Sequence, residues 1–129
     1  MKQIDRPLSP HLGIYKWQIT MTLSILHRMT GVFLSIGLLM LTCWLLAIAS
    51  GGEQYAQVMD FFRAPFGRLL MIGWSYAFFY HFCNGIRHLF WDTGKGYEID
   101  QVKSSGVFVI IVSILITAGV WYLILGGAA

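Results

Sequence analysis

SSGVFVIIVSILITAGVWYLILGGAA, residues 104–129, contains no aspartate, glutamate, lysine or arginine. Residues 69–86 and 29–52 are also free of these four residue types. A helix needs about 20 apolar residues to cross the hydrocarbon core of a bilayer. The sequence therefore predicts an all-α membrane protein with three transmembrane helices. The predicted spans are about residues 24–49, 66–90 and 106–126.

The overall composition supports this interpretation. Hydrophobic residues make up 57% of the 129 residues and charged residues 12%, whereas a soluble domain carries roughly 25% charged residues. The alternative, a buried soluble core, requires amphipathic helix faces that the apolar stretches lack. We therefore expect a single membrane-anchor domain over residues 1–129, in which residues 1–23 form a polar N-terminal segment.

The distribution of positive charge predicts the orientation in the membrane. Seven of the nine lysines and arginines lie in the N-terminal segment or around the second loop. They are Lys2, Arg6, Lys16, Arg28, Arg87, Lys95 and Lys103. Because cytoplasmic loops carry the excess of positive charge, the N-terminus is predicted to be cytoplasmic and the C-terminus periplasmic. A nucleic-acid partner is not expected, since no soluble basic surface is available to bind one.

The start of the chain carries no recognisable targeting signal. Its first 20 residues are polar, and the apolar run that follows is too long for the hydrophobic region of a cleavable signal peptide. An Arg- and Ser-rich transit peptide is absent as well. We therefore expect the bacterial inner membrane in preference to an organelle membrane.

Local breaks predict where the helices end. Gly51 and Gly52 end the first span, and residues 53–62 suit a short helix at the membrane surface. Pro65 favours the first turn of the next helix, where its missing N–H costs little. The second span is predicted to end at the loop-like run of residues 92–96.

The most informative motif is HFCNGIRHLFWD, residues 81–92, at the end of the second span. A histidine within the hydrocarbon region requires a partner. Gly85, four residues after His81, lies on the same helix face, and His88 returns nearly to that face. A ring nitrogen beside this notch suits an axial ligand of haem iron. The alternative is a neutral histidine that is hydrogen-bonded to a neighbouring helix.

The other histidines do not provide an obvious second axial ligand. His81 lies seven residues, or roughly 10 Å, deeper than His88. His27 is expected near the cytoplasmic end of the first span, and His11 precedes the membrane. No histidine is therefore expected at the depth of His81 on a facing helix. A bis-histidine haem requires its second ligand from another polypeptide.

A second polar group opens the first span. Ser24, His27, Arg28 and Gly31 share one helix face by their spacing. Arg28 is suited to hold a haem propionate or a quinone oxygen, and Ser24 to donate a hydrogen bond to a quinone carbonyl. The alternative is an arginine at a helix end with its charge at the membrane surface.

Near the end of the second span, His88 is assigned to a haem propionate or to the support of His81, on whose helix face it lies. Arg87 and Asp92 are interpreted as boundary charges of the helix. No nucleophile–base pair, phosphate loop or metal-cluster spacing is present, and we predict no catalytic residues. The chain is expected to hold redox groups rather than to make or break bonds itself.

Three segments together resemble one family. RPLSPHLGIY (residues 6–15), SILHRMTG (24–31) and HFCNGIRHLFWD (81–92) resemble the cytochrome b membrane-anchor subunits of succinate dehydrogenase, the larger of the two anchor chains of complex II. Their order and spacing match over essentially the whole chain.

The resemblance implies roles for individual residues. It places the axial ligand of haem b at His81 and the quinone site at Ser24 and Arg28. His27, Arg28 and His88 fall where the family has polar groups near the haem propionates and the quinone. The second axial histidine is then supplied by the smaller anchor chain, which shares the haem.

The resemblance also implies partners. They are a flavoprotein subunit, an iron–sulfur subunit and a second small three-span anchor subunit, with membrane lipid around them and ubiquinone as substrate. Succinate is oxidised at the flavin and its electrons reach ubiquinone, which links the tricarboxylic acid cycle to the respiratory chain.

Three alternatives remain open. One is the anchor of a related fumarate reductase, which runs the reaction in reverse. Another is a structural anchor that binds neither haem nor quinone. The third, a transporter or channel subunit, predicts ionisable residues in the middle of more than one span.

Overall fold

The computed structural model describes residues 18–127, which form four α-helices. These are α1 (Ile19–Ser50), α2 (Gly52–Arg63), α3 (Pro65–Asp92) and α4 (Ile99–Gly127). The expected all-α fold is confirmed. The motif at residues 6–15, which includes His11, lies outside the described residues.

Glycine and proline separate the first three helices, as the sequence predicts. Gly51 and Gly52 have φ angles of 66° and 59°, a region that side chains with a Cβ rarely adopt. The chain therefore leaves α1 here and begins the short helix α2. Pro65 occupies the first turn of α3, after Ala64 in an extended conformation.

The connection between α3 and α4 also uses glycine. The backbone N–H of Gly94 donates to the carbonyl of Trp91 at 2.8 Å and closes the last turn of α3. Gly94 and Gly96 then have φ angles of 82° and 81°. This tight turn returns the chain beside α3, so that α4 runs antiparallel to it.

The helix α3 is the centre of the fold and contacts α1, α2 and α4. The N-terminal ends of α1 and α4 meet the C-terminal end of α3 at one end of the molecule. There the buried side chains of Leu23, Tyr80 and Val109 form the core. The Tyr80 hydroxyl donates a 2.7 Å hydrogen bond to the carbonyl oxygen of Leu23 and links α3 to α1.

Small residues allow the helices to approach closely, which is typical of helix packing in membranes. Gly37 of α1 lies directly against the indole of Trp74, where an added Cβ would overlap the ring. Gly67 of α3 lies equally close to the backbone of Phe61 in α2. At both places only the missing side chain makes the contact possible.

The outer surface of the molecule is apolar. Leucine, isoleucine and phenylalanine side chains of α1 and α4 are widely exposed, and both helices are long and apolar enough to cross a membrane. The 28 residues of α3 extend about 42 Å at about 1.5 Å per residue, but several polar and aromatic side chains lower its hydropathy. These are Trp74, Tyr76, Tyr80, His81 and Asn84.

Each predicted span lies within one of the helices α1, α3 and α4. The helices extend beyond the predicted spans because helical structure does not end at the limits of an apolar run. That α3 crosses the membrane, and that the N-terminus is cytoplasmic, remain predictions.

Candidate functional site

His81 of α3 points toward the first half of α1. Its Nδ1 lies 3.2 Å from the carbonyl oxygen of His27 and 3.2 Å from the hydroxyl oxygen of Thr30. Gly31 provides the space, because a Cβ there would lie 3.1 Å from Cε1 of His81. The ring is partly buried.

These contacts determine which ring nitrogen of His81 carries the proton. A carbonyl oxygen only accepts hydrogen bonds, so the contact with His27 requires Nδ1–H as the donor. The lone pair then lies on Nε2, which has no hydrogen-bond partner among residues 18–127 and is not one of their fully buried polar atoms. With the proton on Nδ1, Nε2 is the ring atom that can bind a ligand.

The structure brings three of the predicted site histidines together. The His27 and His81 rings are parallel within 7°, with centroids 3.9 Å apart. The His88 ring stacks on His27 at 5.2 Å and 18°, and its Nδ1 lies 2.9 Å from the carbonyl oxygen of Asn84. Nδ1 of His27 is buried and has no hydrogen-bond partner within the part of the chain that the structure describes.

The expectation that no histidine of a facing helix lies at the depth of His81 was wrong. α1 begins at Ile19, so His27 already lies two turns inside the helix. The antiparallel α3 places His81 beside it. The stack is not a metal cluster, and none of the described residues form a group of three or more histidine, cysteine, aspartate or glutamate side chains suited to a metal ion.

Ser24 and Arg28 lie on a different part of α1 from His27 and Gly31. Both side chains are exposed, whereas His27 and Gly31 turn toward α3. At about 100° per residue the four residues span about 100° of the helix surface, with His27 and Gly31 toward α3 and Arg28 at the other edge. The predicted quinone pair therefore forms an open polar patch beside the histidine stack, and α3 does not cover it.

Arg87 is the residue that the sequence interpretation placed wrongly. It was expected as a boundary charge, but its side chain is buried, with 7% exposed. The guanidinium donates to Ser105 Oγ at 2.9 Å, to Asn84 Oδ1 at 3.1 Å and to the Val102 carbonyl at 2.9 Å. Its Cζ also lies 4.2 Å from the centre of the Trp91 ring. Asp92, by contrast, is exposed at the end of α3, as expected.

This network joins α3 to α4. Only its contacts within α3 could be predicted from the sequence. Asn84 and Arg87 are three residues apart, so their contact within one helix is predictable. The partners on α4 depend on how residues 93–98 return the chain, which no local pattern encodes. Gly106 completes the fit, because an added Cβ would lie 3.5 Å from Nη2 of Arg87 and would overlap Leu23.

The comparison with known proteins gives one consistent result. The family described as succinate dehydrogenase/fumarate reductase transmembrane subunit matches residues 2–120. The succinate dehydrogenase cytochrome b556 subunit of Rickettsia felis is 48% identical over 116 residues, which are 90% of each chain. The corresponding subunit of Rickettsia typhi is 47% identical over the same share of each chain.

Similarity extends to mitochondrial proteins. The human mitochondrial succinate dehydrogenase cytochrome b560 subunit is 39% identical over 119 residues, which cover 89% of this chain and 69% of the human protein. The match includes the helices that carry the histidine stack. The chain therefore belongs to the succinate dehydrogenase/fumarate reductase transmembrane subunit family and is similar to its cytochrome b subunits.

Proposed function

We propose that this chain is a membrane anchor of a succinate:quinone oxidoreductase that supplies one axial ligand to haem b and part of the quinone-reduction site. The observation that carries the proposal is the orientation of the His81 ring, whose Nδ1 lies 3.2 Å from the carbonyl oxygen of His27. This contact assigns the proton to Nδ1, and among residues 18–127 Nε2 has no hydrogen-bond partner. Histidines that bind metals are commonly oriented in this way, by a hydrogen bond from the other ring nitrogen to a carbonyl.

The surface beside His81 also suits a flat apolar group. Gly85 has open space where a side chain would project. Phe82 and Leu89, on the same side of α3, are 58% and 66% exposed. A porphyrin has apolar faces that would cover these side chains. When bound there, haem b would accept and return one electron.

His27 does not qualify as the second axial ligand. A haem held by both histidines would have to fit between the two rings. The His27 and His81 rings instead stack face to face at 3.9 Å, so no porphyrin fits between them. The second ligand would come from the other anchor subunit. The exposed ring of His88 is available to a haem propionate. His27 would lie beside it through the ring stack, with its own Nδ1 buried.

Ser24 and Arg28 are proposed to bind the quinone. Both are exposed on one side of α1, near the end of the molecule where the cytoplasmic surface is predicted. The Ser24 hydroxyl would donate to a quinone carbonyl oxygen, and Arg28 would stabilise the negative charge that develops there during reduction. Two electrons from the iron–sulfur subunit and two protons from surface water convert quinone to quinol.

The cellular setting follows from the same proposal. The chain would lie in the bacterial inner membrane with three spans, bound to a flavoprotein subunit, an iron–sulfur subunit and a second small anchor. The relatives from Rickettsia are bacterial, which supports this location. The direction of the reaction, succinate oxidation or fumarate reduction, is set by the partner subunits and the quinone.

The haem assignment is tested by optical and electron paramagnetic resonance spectra of the purified complex. His81→Gln should remove the low-spin b-type signal, whereas His88→Gln should retain this signal because His88 is not assigned as an iron ligand. A low-spin signal that is unaltered in His81→Gln would refute the assignment. A wild-type complex without haem absorbance would favour the purely structural anchor.

The quinone assignment is tested by two assays on one preparation. Ser24→Ala and Arg28→Leu should lower quinone reduction while succinate oxidation by an artificial acceptor is retained. Ser35→Ala and Arg68→Leu are matched controls, because both residues are exposed elsewhere on the chain. Equal loss of both activities would point to assembly rather than quinone binding, and unaltered quinone reduction in both variants would contradict the assignment.

A further inference from the structure

A cleft of about 960 Å³ lies between the last turns of α3 and the first half of α4. Its walls are apolar, and several of their side chains are widely exposed. The apolar walls include Ile86, Phe90, Phe108, Val109 and Val112. Phe90 is 57% exposed and Phe108 67%, so the cleft opens at the surface of the chain.

One end of the cleft is positively charged. Arg87 and Lys95 both line it. All three hydrogen-bond acceptors of Arg87 are neutral oxygens, so its charge has no anionic partner within the part of the chain described. A guanidinium has five N–H donors, and three bonds leave two of them free. A buried cation is costly without an opposite charge.

We propose that this cleft binds an anionic phospholipid. The phosphate oxygens pair with Arg87 and Lys95, and one acyl chain lies along the apolar walls toward Val112. The arrangement matches the order of a lipid. The charged end of the cleft corresponds to the headgroup, because Arg87 lies about 7 Å before the end of α3, at about 1.5 Å per residue. The apolar end corresponds to the acyl chain, because Val112 lies about 10 Å further along α4 than Ser105, a partner of Arg87.

The lipid site is independent of the haem and quinone proposals. Phe90 follows His81 by nine residues, which at about 100° per residue places it on the opposite side of α3. The cleft contains neither Ser24 nor Arg28. The proposal requires only that this end of α3 and α4 meets the lipid headgroups.

The test is a lipid titration of the purified, delipidated complex, followed by native mass spectrometry. Phosphatidylglycerol, phosphatidylcholine and inorganic phosphate are the probes. Each basic residue near an anionic lipid surface strengthens binding by about fivefold. We expect phosphatidylglycerol to bind at least about fivefold more tightly than phosphatidylcholine, and inorganic phosphate alone not to bind.

Two variants address the two ends of the cleft. Lys95→Gln should weaken phosphatidylglycerol binding by about fivefold, whereas Lys103→Gln, an exposed lysine outside the cleft, should leave it unchanged. Val112→Trp fills the apolar part and should remove the bound lipid. Leu39→Trp, at an exposed position on α1, is its control.

Equal affinity for the two lipids would overturn the proposal, as would equal effects of Lys95→Gln and Lys103→Gln. Retention of the lipid in an assembled Val112→Trp complex would do so as well. If the tryptophan variant does not assemble, the comparison between the two lysine variants decides, because both lysines are exposed.

Discussion

Thr30→Val is the substitution that tests the environment of His81 most sharply. Valine keeps the shape of threonine but removes the hydroxyl, which lies 3.2 Å from Nδ1 of His81. A hydrogen bond from Nδ1–H to an acceptor makes the imidazole a stronger electron donor and stabilises the oxidised iron. Loss of this acceptor should therefore raise the midpoint potential of the haem.

The size of the shift follows from the geometry. A neutral hydrogen bond contributes about 0.5–1.5 kcal/mol. The low end applies because the contact is long and the carbonyl of His27, also at 3.2 Å, remains as an acceptor. For a one-electron couple 59 mV corresponds to a factor of ten, so about 0.5–1 kcal/mol corresponds to about 20–40 mV.

The assay is an optical redox titration of the purified complex. Thr42→Val is the matched control, because the Thr42 hydroxyl bonds to the Leu38 carbonyl of its own helix at 2.8 Å and is exposed. We expect an upward shift in Thr30→Val and none in Thr42→Val. A downward shift, or equal potentials in the two variants, would refute the assigned protonation of His81.

Three further substitutions test the packing. Gly37→Ala places a Cβ into the indole of Trp74 and should lower the free energy of unfolding by about 1–3 kcal/mol. The measurement is denaturation of the complex in detergent, and wild-type stability would contradict the close helix contact. Tyr80→Phe removes the bond to the Leu23 carbonyl and should cost about 1 kcal/mol in the same assay, and no measurable loss would show that this bond does not stabilise the fold. Arg87→Leu leaves the buried Asn84 Oδ1 without its donor, whereas the Val102 carbonyl keeps the bond from Ser105 Oγ. The variant should lose about 1–3 kcal/mol of unfolding free energy and assemble in lower yield, and a fully stable variant would contradict the network.

Local signals were enough to predict most of the helix boundaries. Gly51 and Gly52 adopt positive φ angles, and Pro65 begins α3, where its fixed φ and missing N–H are tolerated. The short helix over residues 53–62 was predicted between these breaks. Such features depend on a few neighbouring residues and can be deduced without the fold.

It was not predictable in the same way which residues of two neighbouring helices lie at the same depth along the helix axes. His27 meets His81 because Gly31 and the Tyr80–Leu23 hydrogen bond fix how α1 and α3 pass each other. The sequence contains these residues but does not show that they meet. His27 was expected at the helix end, although α1 begins eight residues earlier.

Arg87 shows the opposite case, a residue whose type suggested the surface and whose packing placed it inside. Arginine near a helix end usually extends to water. Here Asn84, Ser105 and the Val102 carbonyl provide neutral acceptors, so the guanidinium can be buried between two helices. Only the contact of α3 with α4 makes this arrangement visible.

The most direct measurement of the central claim is a high-resolution structure of the assembled complex by electron cryomicroscopy. We expect Nε2 of His81 to bind the iron of a porphyrin, with Nδ1 still on the His27 carbonyl and the second ligand from another subunit. A porphyrin bound elsewhere, or a His81 ring whose Nε2 bonds to a neighbouring side chain, would contradict the account.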